Sequence, residues 1–511
     1  MSKSTSIKTF LIDFVVPFLI LFVLFCLLRR DLFAAVAVVP IEDFAANDLL
    51  ILEAKSLALL HGNYSRVGFY HPGPFFFQLM AIFETVLHDW TRIVHSPVAA
   101  AIVAGLFINA VALATLYGTF VRYFGKRWEA VLAAVITTVV ACLVIDTNQF
   151  YNGQLFFETS WPPFLYMAAA LLLQAGITGL AAGARSGLPL TTAALMMLIH
   201  GHASFIGLAP MIVLSLAVCF MVQRRRQGAI AVAGAVRSYV AANSLPILVS
   251  VGIVLLFAFP ILLNTLRNWP GEIPKYFSFA GERETRPVAD ILRYWGRFMH
   301  WSLLAIPACL LMSYAEKRAA PRRLVVLLLV AVVPAAMFYS LRGLDTLEYK
   351  YPLFWVGPTI GAAVAVAAIE LLRCAPRPVY RRGVLAFWVL FVVFGFSQFK
   401  PRGIFEYMPE NEVSASVQTL RTMRTANEPV AIEVDTGHVI PIVYAITLAA
   451  VDKRLGGQGF CVMPASWNIA YSERYKCDAS RDPAGASLKL KNADGTSKPL
   501  FKIGNVVGAA L

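Results

Sequence analysis

The chain has 511 residues, 58% of them apolar and 14% charged, where soluble domains carry about one quarter charged residues. Repeated apolar runs of about twenty residues exclude a soluble enzyme and make this a polytopic membrane protein, since a helix of that length crosses the hydrocarbon core. The formal net charge of +14 does not call for a nucleic-acid partner, because the Lys and Arg residues form short clusters between apolar runs, as topology signals do.

The first run, about 9–28, is longer than a signal-peptide core and lacks a small-residue cleavage site, so it is expected to stay as a signal anchor. The stretch 41–74 that follows is unusually polar for so apolar a chain. It carries Glu42, Asp43 and Asp48, a helix-like segment over 47–61, and the turn His71-Pro72-Gly73-Pro74. The next stretch, 75–95, is apolar but interrupted by Glu84, His88, Asp89 and Arg92, which predicts a helix lying at the interface and not a span. Further apolar runs fall near 97–121, 128–145, 160–182, 187–199, 204–222, 244–263, 299–315, 324–340, 352–372 and 383–398, giving eleven spans with the first.

Charge asymmetry supports this count. Lys3 and Lys8, then Arg122, Lys126 and Arg127, then Arg185, then Arg224, Arg225, Arg226 and Arg237, then Lys317, Arg318, Arg322 and Arg323, then Arg373, Arg377, Arg381 and Arg382 all fall on one side. That side is expected to be the cytoplasm. Arg29 and Arg30 dissent, sitting just after the first span on the other side.

An odd number of spans places residues 399–511 outside the cytoplasm. This region is more polar, with a strand-like run at 429–435 and a Gly-rich turn at 456–460, and reads as a small α/β domain following a transmembrane domain of 1–398. Of seven cysteines, only Cys461 and Cys477 share a polar region. In an oxidising compartment they are expected to form a disulfide, the alternative being two free thiols. No Cys/His metal spacing occurs.

On this topology the outer loops are 30–96, 146–159, 200–203, 264–298 and 341–351. They gather Glu42, Asp43, Asp48 and His71; Asp146, Asn148, Asn152 and Glu158; His200 and His202; Asn264, Arg267, Lys275, Tyr276, Arg283 and Arg286; and Arg342, Asp345, Glu348, Tyr349, Lys350 and Tyr351. Carboxylates, imidazoles and cations thus converge on one membrane face, which suits a substrate with a sugar or phosphate head and a lipid tail. Ionisable residues within the spans are nearly absent, Asp13 being the nearest exception, whereas a transporter usually needs them.

This order of motifs resembles the GT-C superfamily of membrane glycosyltransferases, which use polyprenyl-phosphate sugars and include the bacterial protein mannosyltransferase and aminoarabinose transferase group. There an acidic motif follows the first span, then come a juxtamembrane helix, a Gly-containing turn, and a His-Pro or Pro-Pro motif. Here the matching residues are Asp43 and Asn47-Asp48, His61-Gly62, and Tyr70-His71-Pro72-Gly73-Pro74; Trp161-Pro162-Pro163, His202-Ala203-Ser204 and Tyr349-Lys350-Tyr351 match later motifs. The likeness covers about 1–400, and the Asp-Glu pair of the mannosyl- and aminoarabinose-transferase branches is replaced by Asn47 and Asp48.

The resemblance implies a polytopic α-helical fold and an inverting transfer of a hexosyl or pentosyl group from a polyprenyl-phosphate donor to a cell-envelope glycan or glycolipid. It also implies a multi-pass protein of the bacterial inner membrane, with its N-terminus cytoplasmic and its site and C-terminus periplasmic. Such a transfer needs a base for the acceptor hydroxyl: Asp48 first, Asp43 second, Glu42 third, each of which could instead cap the juxtamembrane helix. It also needs donors for the departing phosphate: Arg342, Lys350 and Arg267, with His71 or His202, against ordinary interfacial snorkelling. Trp161, Tyr349, Asn264 and Tyr70 are candidates for substrate contact, Trp161 equally for an interfacial anchor. No cofactor is assigned; a divalent metal is left open, since His200 and His202 flanking Gly201 could bind one, with no carboxylate fixed nearby in sequence. Expected partners are the lipid-linked donor, the acceptor and membrane lipid.

No Walker, Rossmann or Gly-x-Ser-x-Gly motif stands in a suitable context. Nucleotide sugars are cytoplasmic, so outward-facing polar groups favour a lipid-linked donor. The rival readings are a lipid-linked-sugar flippase, and a polymerase or ligase using a lipid-diphosphate donor.

Overall fold

A computed structural model describes residues 3–34, 38–65, 67–145, 161–224, 240–299, 305–309, 319–344, 346–375, 377–398, 407–423, 429–478, 487–492, 501–503 and 506–510. The expected loop 146–159, Asp345 and most of the expected span 299–315 lie outside these residues. The chain divides into two compact units. One comprises Met1–Leu28, Leu106–Glu158 and Pro162–Arg402; the other comprises Arg29–Gly105, Thr159–Trp161 and Gly403–Leu511.

The first unit is helical. Among the described residues, eight helices in the chain are long and apolar enough to cross a membrane, and Gly187–Gly201 and Phe205–Cys219 are shorter apolar helices. The protein is a polytopic membrane protein. Its helices approach closely where a side chain is missing. A Cβ on Gly361, in helix Gly357–Cys374, would lie 2.4 Å from the Thr137 carbonyl oxygen of helix Arg127–Ile145. A Cβ on Gly176 would lie 2.5 Å from Thr191 Oγ1 across the hairpin of Pro162–Ala181 and Gly187–Gly201. Small residues at such crossings let backbones meet where lipid supplies no hydrophobic drive between helices.

Charges close one end of this unit. Arg373 reaches Glu129 Oε2 from Nε at 3.1 Å, Glu370 Oε1 at 3.2 Å, and the Phe124 carbonyl at 2.6 Å. Buried Asp13, the one acid in the first span, accepts from Arg127 Nε at 2.8 Å. The basic clusters at 122–127 and 373–382 therefore meet buried carboxylates.

The second unit is discontinuous. Helix Glu42–Lys55 has its middle, Ala45 to Ile51, wholly buried. Ala45, Ala46 and Leu49 share a core with Val413, Val417, Ile446, Ala449, Phe460 and Tyr471. Strand β1, Val38–Pro40, pairs antiparallel with β2, Tyr407–Pro409. Strands β3 (Val430–Val434), β4 (Phe460–Val462), β5 (Ser487–Asn492), β6 (Phe501–Ile503) and β7 (Val506–Ala510) form one sheet in the order β4-β3-β5-β7-β6. β4, β3 and β5 are parallel; helix Val439–Arg454 makes the crossover from β3 to β4. The turn after it uses positive φ at Gly456 and Gly457, conformations that glycine adopts without cost. Cys461 and Cys477 are joined by a disulfide.

Two differences from the sequence-based expectations stand out. Near the boundary expected at 398/399 the chain changes unit at Arg402/Gly403, but the second unit also takes in Arg29–Gly105 and Thr159–Trp161, because the first polar loop packs with the C-terminal residues. The interfacial helix expected over 75–95 is a helix only over Phe75–Phe83, widens to a π turn over Glu84–Trp90, and buries Glu84. A buried charge needs partners, and these are supplied within the unit.

Replacing Gly361 by Ala should lower stability by about 1–3 kcal/mol, the usual cost of overpacking, since its Cβ would meet backbone and not a flexible side chain. Thermal unfolding in detergent measures this; an unchanged midpoint would mean that the two helices separate freely.

Candidate functional site

Two groups of polar side chains lie within the second unit, one exposed and one buried. The exposed group forms at the start of helix Glu42–Lys55. Glu42 adopts φ of +55° in the left-handed region, a conformation that costs a non-glycine residue of order 1–3 kcal/mol and concentrates at functional positions. Beside it, exposed Asp43 accepts a hydrogen bond from the Tyr64 hydroxyl on Oδ1 and one from Trp161 Nε1 on Oδ2 at 2.9 Å. Burial of the Glu42 carboxyl, followed by the charge of Asp43, raises its pKa.

Tyr64 is delivered by a short hairpin over 62–71. The Gly62 amide donates to the His71 carbonyl at 2.7 Å, the His71 amide to the Asn63 carbonyl at 2.8 Å, and the Ser65 amide to the Phe69 carbonyl at 2.8 Å. Tyr64 and Tyr70 face each other as a bridge pair. Tyr70 stacks on His61 with centroids 3.8 Å apart and donates its hydroxyl to the Ile469 carbonyl at 3.1 Å. The turn His71-Pro72-Gly73-Pro74 thus returns the chain to helix Phe75–Phe83, with His71 itself buried.

The buried group centres on Arg454, the last residue of helix Val439–Arg454. Its guanidinium donates to both oxygens of Asp48, Nε to Oδ2 at 2.7 Å, and to both oxygens of Glu84, at 3.0 and 3.1 Å. Asp48 is 3% exposed and Glu84 0%. The rigid guanidinium fork suits paired carboxylates, as an ammonium does not. Lys55 Nζ bonds Glu84 Oε1 at 2.7 Å and Asp89 Oδ2 at 2.6 Å. The wider π turn brings residues five apart to one side, so a single ammonium reaches both acids. His88 Nδ1 lies 2.9 Å from Asp89 Oδ1, and Lys453 Nζ lies 2.9 Å from Glu53 Oε1.

The two central acids differ. Burial pushes the Asp48 carboxyl up, beyond what the charge and hydrogen bonds of Arg454 recover, and Glu84 adds to the rise. Burial opposes charge on Glu84 too, but hydrogen bonds and charge from Arg454 and Lys55 together hold its carboxyl below the usual range. Glu84 is hydrogen-bonded to two cations and Asp48 to one, shared, with the charge of Lys453 acting on it as well.

No family model and no curated protein matches the sequence. Solved structures do. ArnT from Cupriavidus metallidurans in the apo state superposes with a TM-score of 0.55 at 12% identity, over 97% of this chain and 98% of that one. The same protein bound to undecaprenyl phosphate superposes with a TM-score of 0.52 at 13% identity, over 97% of each chain. The chain has a GT-C fold.

The remaining predicted residues lie in the membrane unit. Arg342 donates from Nη2 to the Arg283 carbonyl at 3.4 Å, while Arg286 donates from its amide to the Leu341 carbonyl at 3.1 Å and from Nη2 to the Leu344 carbonyl at 3.0 Å. Three arginines, Arg283, Arg286 and Arg342, are thereby gathered from two loops. Lys350 precedes a 3-10 turn at Tyr351–Val356, Tyr349 packs beside Tyr351 with centroids 5.7 Å apart, and its carbonyl accepts from the Tyr294 hydroxyl at 2.8 Å. His202 Nδ1 lies 2.8 Å from Ser204 Oγ, its ring edge-on to Tyr166 and Tyr339. Arg267 is exposed at the end of helix Ser244–Arg267, and Asn264 is buried, accepting from Asn268 Nδ2 at 2.8 Å.

Asp48, the first choice of base, is buried, with each oxygen accepting from the Arg454 guanidinium, whereas Asp43, the second choice, is exposed. Sequence reasoning passed over Arg454 and Lys55. The signals were a Lys-Arg pair closing an apolar helix, where cations suit the carbonyl end, and the single acid Glu84 in an apolar run. Among the described residues no group of His, Cys, Asp and Glu is arranged to hold a metal.

Replacing Arg454 by Ala takes the guanidinium from buried Asp48 and leaves Glu84 with Lys55, and should destabilise by about 3–5 kcal/mol, read as a lowered unfolding midpoint. Glu84 and Asp48 contribute to the pH response with opposite signs, since burial raises the Asp48 carboxyl. The folded pKa of Glu84 is depressed, so its stabilisation is present above the unfolded carboxylate value of about 4.3 and lost as pH falls through the folded one. The gap between the unfolding midpoints of wild type and Glu84→Gln should therefore narrow as pH falls across that range.

Proposed function

We propose that the chain is a glycosyltransferase that moves a sugar from a polyprenyl-phosphate donor to a cell-envelope acceptor on the outer face of the membrane, with inversion, and that Asp43 is its base. The observation that carries this reading is the setting of Asp43: an exposed carboxylate oriented by two neutral donors, Tyr64 and Trp161, in a chain of GT-C fold. A carboxylate has about four lone-pair sites. Two are occupied here, so Asp43 can still accept the proton of an incoming hydroxyl. The strained backbone at Glu42 sits at the same point.

In the proposed reaction the acceptor hydroxyl gives its proton to Asp43 as its oxygen bonds the anomeric carbon. The bond from that carbon to the phosphate oxygen breaks, and polyprenyl phosphate leaves. In the membrane unit, Arg342 with Arg283 and Arg286 gathered around it offers positive charge suited to a lipid phosphate. A similar protein of this fold has been solved bound to undecaprenyl phosphate, which supports that class of lipid. Lys350, Arg267 and His202 are proposed as further phosphate donors within that unit. Trp161 and Tyr64 offer aromatic surface to a sugar beside the base.

The test is transfer by purified protein in nanodiscs, with radiolabelled polyprenyl-phosphate sugars and an envelope extract as acceptor. Asp43→Asn should lose about 10²–10⁴-fold in rate, the usual contribution of a general base, with an unchanged unfolding midpoint. Near-normal transfer by Asp43→Asn would sink the assignment. Movement of label across liposomes without transfer would favour the flippase.

A further inference from the structure

The membrane unit contains an apolar surface that the helical packing does not cover. Helix Ser244–Arg267 is apolar throughout, yet its buried residues are only Pro246, Ser250 and Asn264. Leu255, Leu256, Phe259, Leu262 and Leu266 are all exposed. The exposed apolar strip does not stop where the span stops. Trp269, two residues on, is 79% exposed. Beyond a turn at Gly271, which uses positive φ, Phe277 on the short helix Ile273–Gly281 is 66% exposed. Tyr276, on the other side of that helix, is buried.

A helix of nine residues is about 14 Å long, far short of the roughly 30 Å of hydrocarbon. It therefore lies along the surface and does not cross. Its polar residues match that position: Lys275 pairs with Glu272 at 2.9 Å, and Ser278 with Glu282 at 2.7 Å. Exposed Arg267 stands where the span ends. An exposed Trp beside cations, continuous with a lipid-facing span, is the composition of a membrane interface and not of a solvated loop.

We propose that residues 268–281 form an interfacial anchor, with Trp269 and Phe277 seated in the lipid surface and Lys275 among the head groups. The occupant of this face is lipid because the strip continues the lipid-facing side of a spanning helix without interruption. The anchor has a consequence for its neighbour. Arg283 follows directly, its guanidinium over the Phe279 ring at 4.4 Å, and its carbonyl holds Arg342. Fixing the anchor at the interface fixes these arginines at head-group depth, where lipid phosphates lie.

The test uses the full chain in nanodiscs of one phosphatidylcholine, with photoreactive benzoylphenylalanine replacing Phe277 or Trp269. Leu262, within the span, is the positive control and exposed Glu284 the negative one. After irradiation, mass spectrometry should find lipid adducts at 277 and 269 at yields within about threefold of position 262, as equal seating in lipid requires. Lipid adducts at 262 but none at 277 and 269 would overturn the proposal. So would cross-links from 277 to a second copy of the chain. If one of the two variants does not fold, the other reads the same face. None of these outcomes depends on the proposed transfer, so the anchor and the enzyme assignment fail separately.

Discussion

The structure of the polar unit depends on one guanidinium shared by two carboxylates. Arg454 comes from the end of a helix in the C-terminal region, Asp48 from the helix after the first span, and Glu84 from the π turn before the next. Desolvating any one of these charges alone would be costly, and desolvating them together is tolerable only because the fork geometry satisfies both acids at once. Three segments widely separated in sequence are therefore locked to each other. The hydrophobic core around Ala45, Ala46 and Leu49 closes over the same junction, so apolar burial and ion pairing specify one arrangement.

The exposed acid site follows from that arrangement. Helix Glu42–Lys55 is held by its middle and its end, through Asp48 and Lys55, which leaves its first turn at the surface. The hairpin over 62–71 then brings Tyr64 to Asp43. A reactive carboxylate on a rigidly seated helix is better oriented than one on a free loop. The buried acid and the exposed acid, five residues apart on one helix, have opposite tasks: one is neutralised to build the scaffold, the other is kept accessible.

The membrane unit uses a different physics. Without a hydrophobic drive between its helices, it relies on missing side chains, as at Gly361 and Gly176, and on charges gathered at its ends. Arg373 with Glu129 and Glu370 does this at one set of loops, and Arg286 with the Leu341 and Leu344 carbonyls does it at another. Uncovered apolar surface on helix Ser244–Arg267 is what lipid contact requires.

The membrane class, the GT-C resemblance and the concentration of acids after the first span are legible along the chain. These are written in local patterns: apolar runs of spanning length, basic clusters between them, and motifs read in order along the chain. The sequence also brought Cys461 and Cys477 into view as a pair. Long-range packing settles which acid is buried and which is exposed, brings residue 454 to residues 48 and 84, and packs the first polar loop with the C-terminal region. Asp43 and Asp48 are alike as letters, and on one helix they differ by little more than a turn. Their roles are set by what packs against each, and that depends on contacts some four hundred residues apart, which no local periodicity encodes.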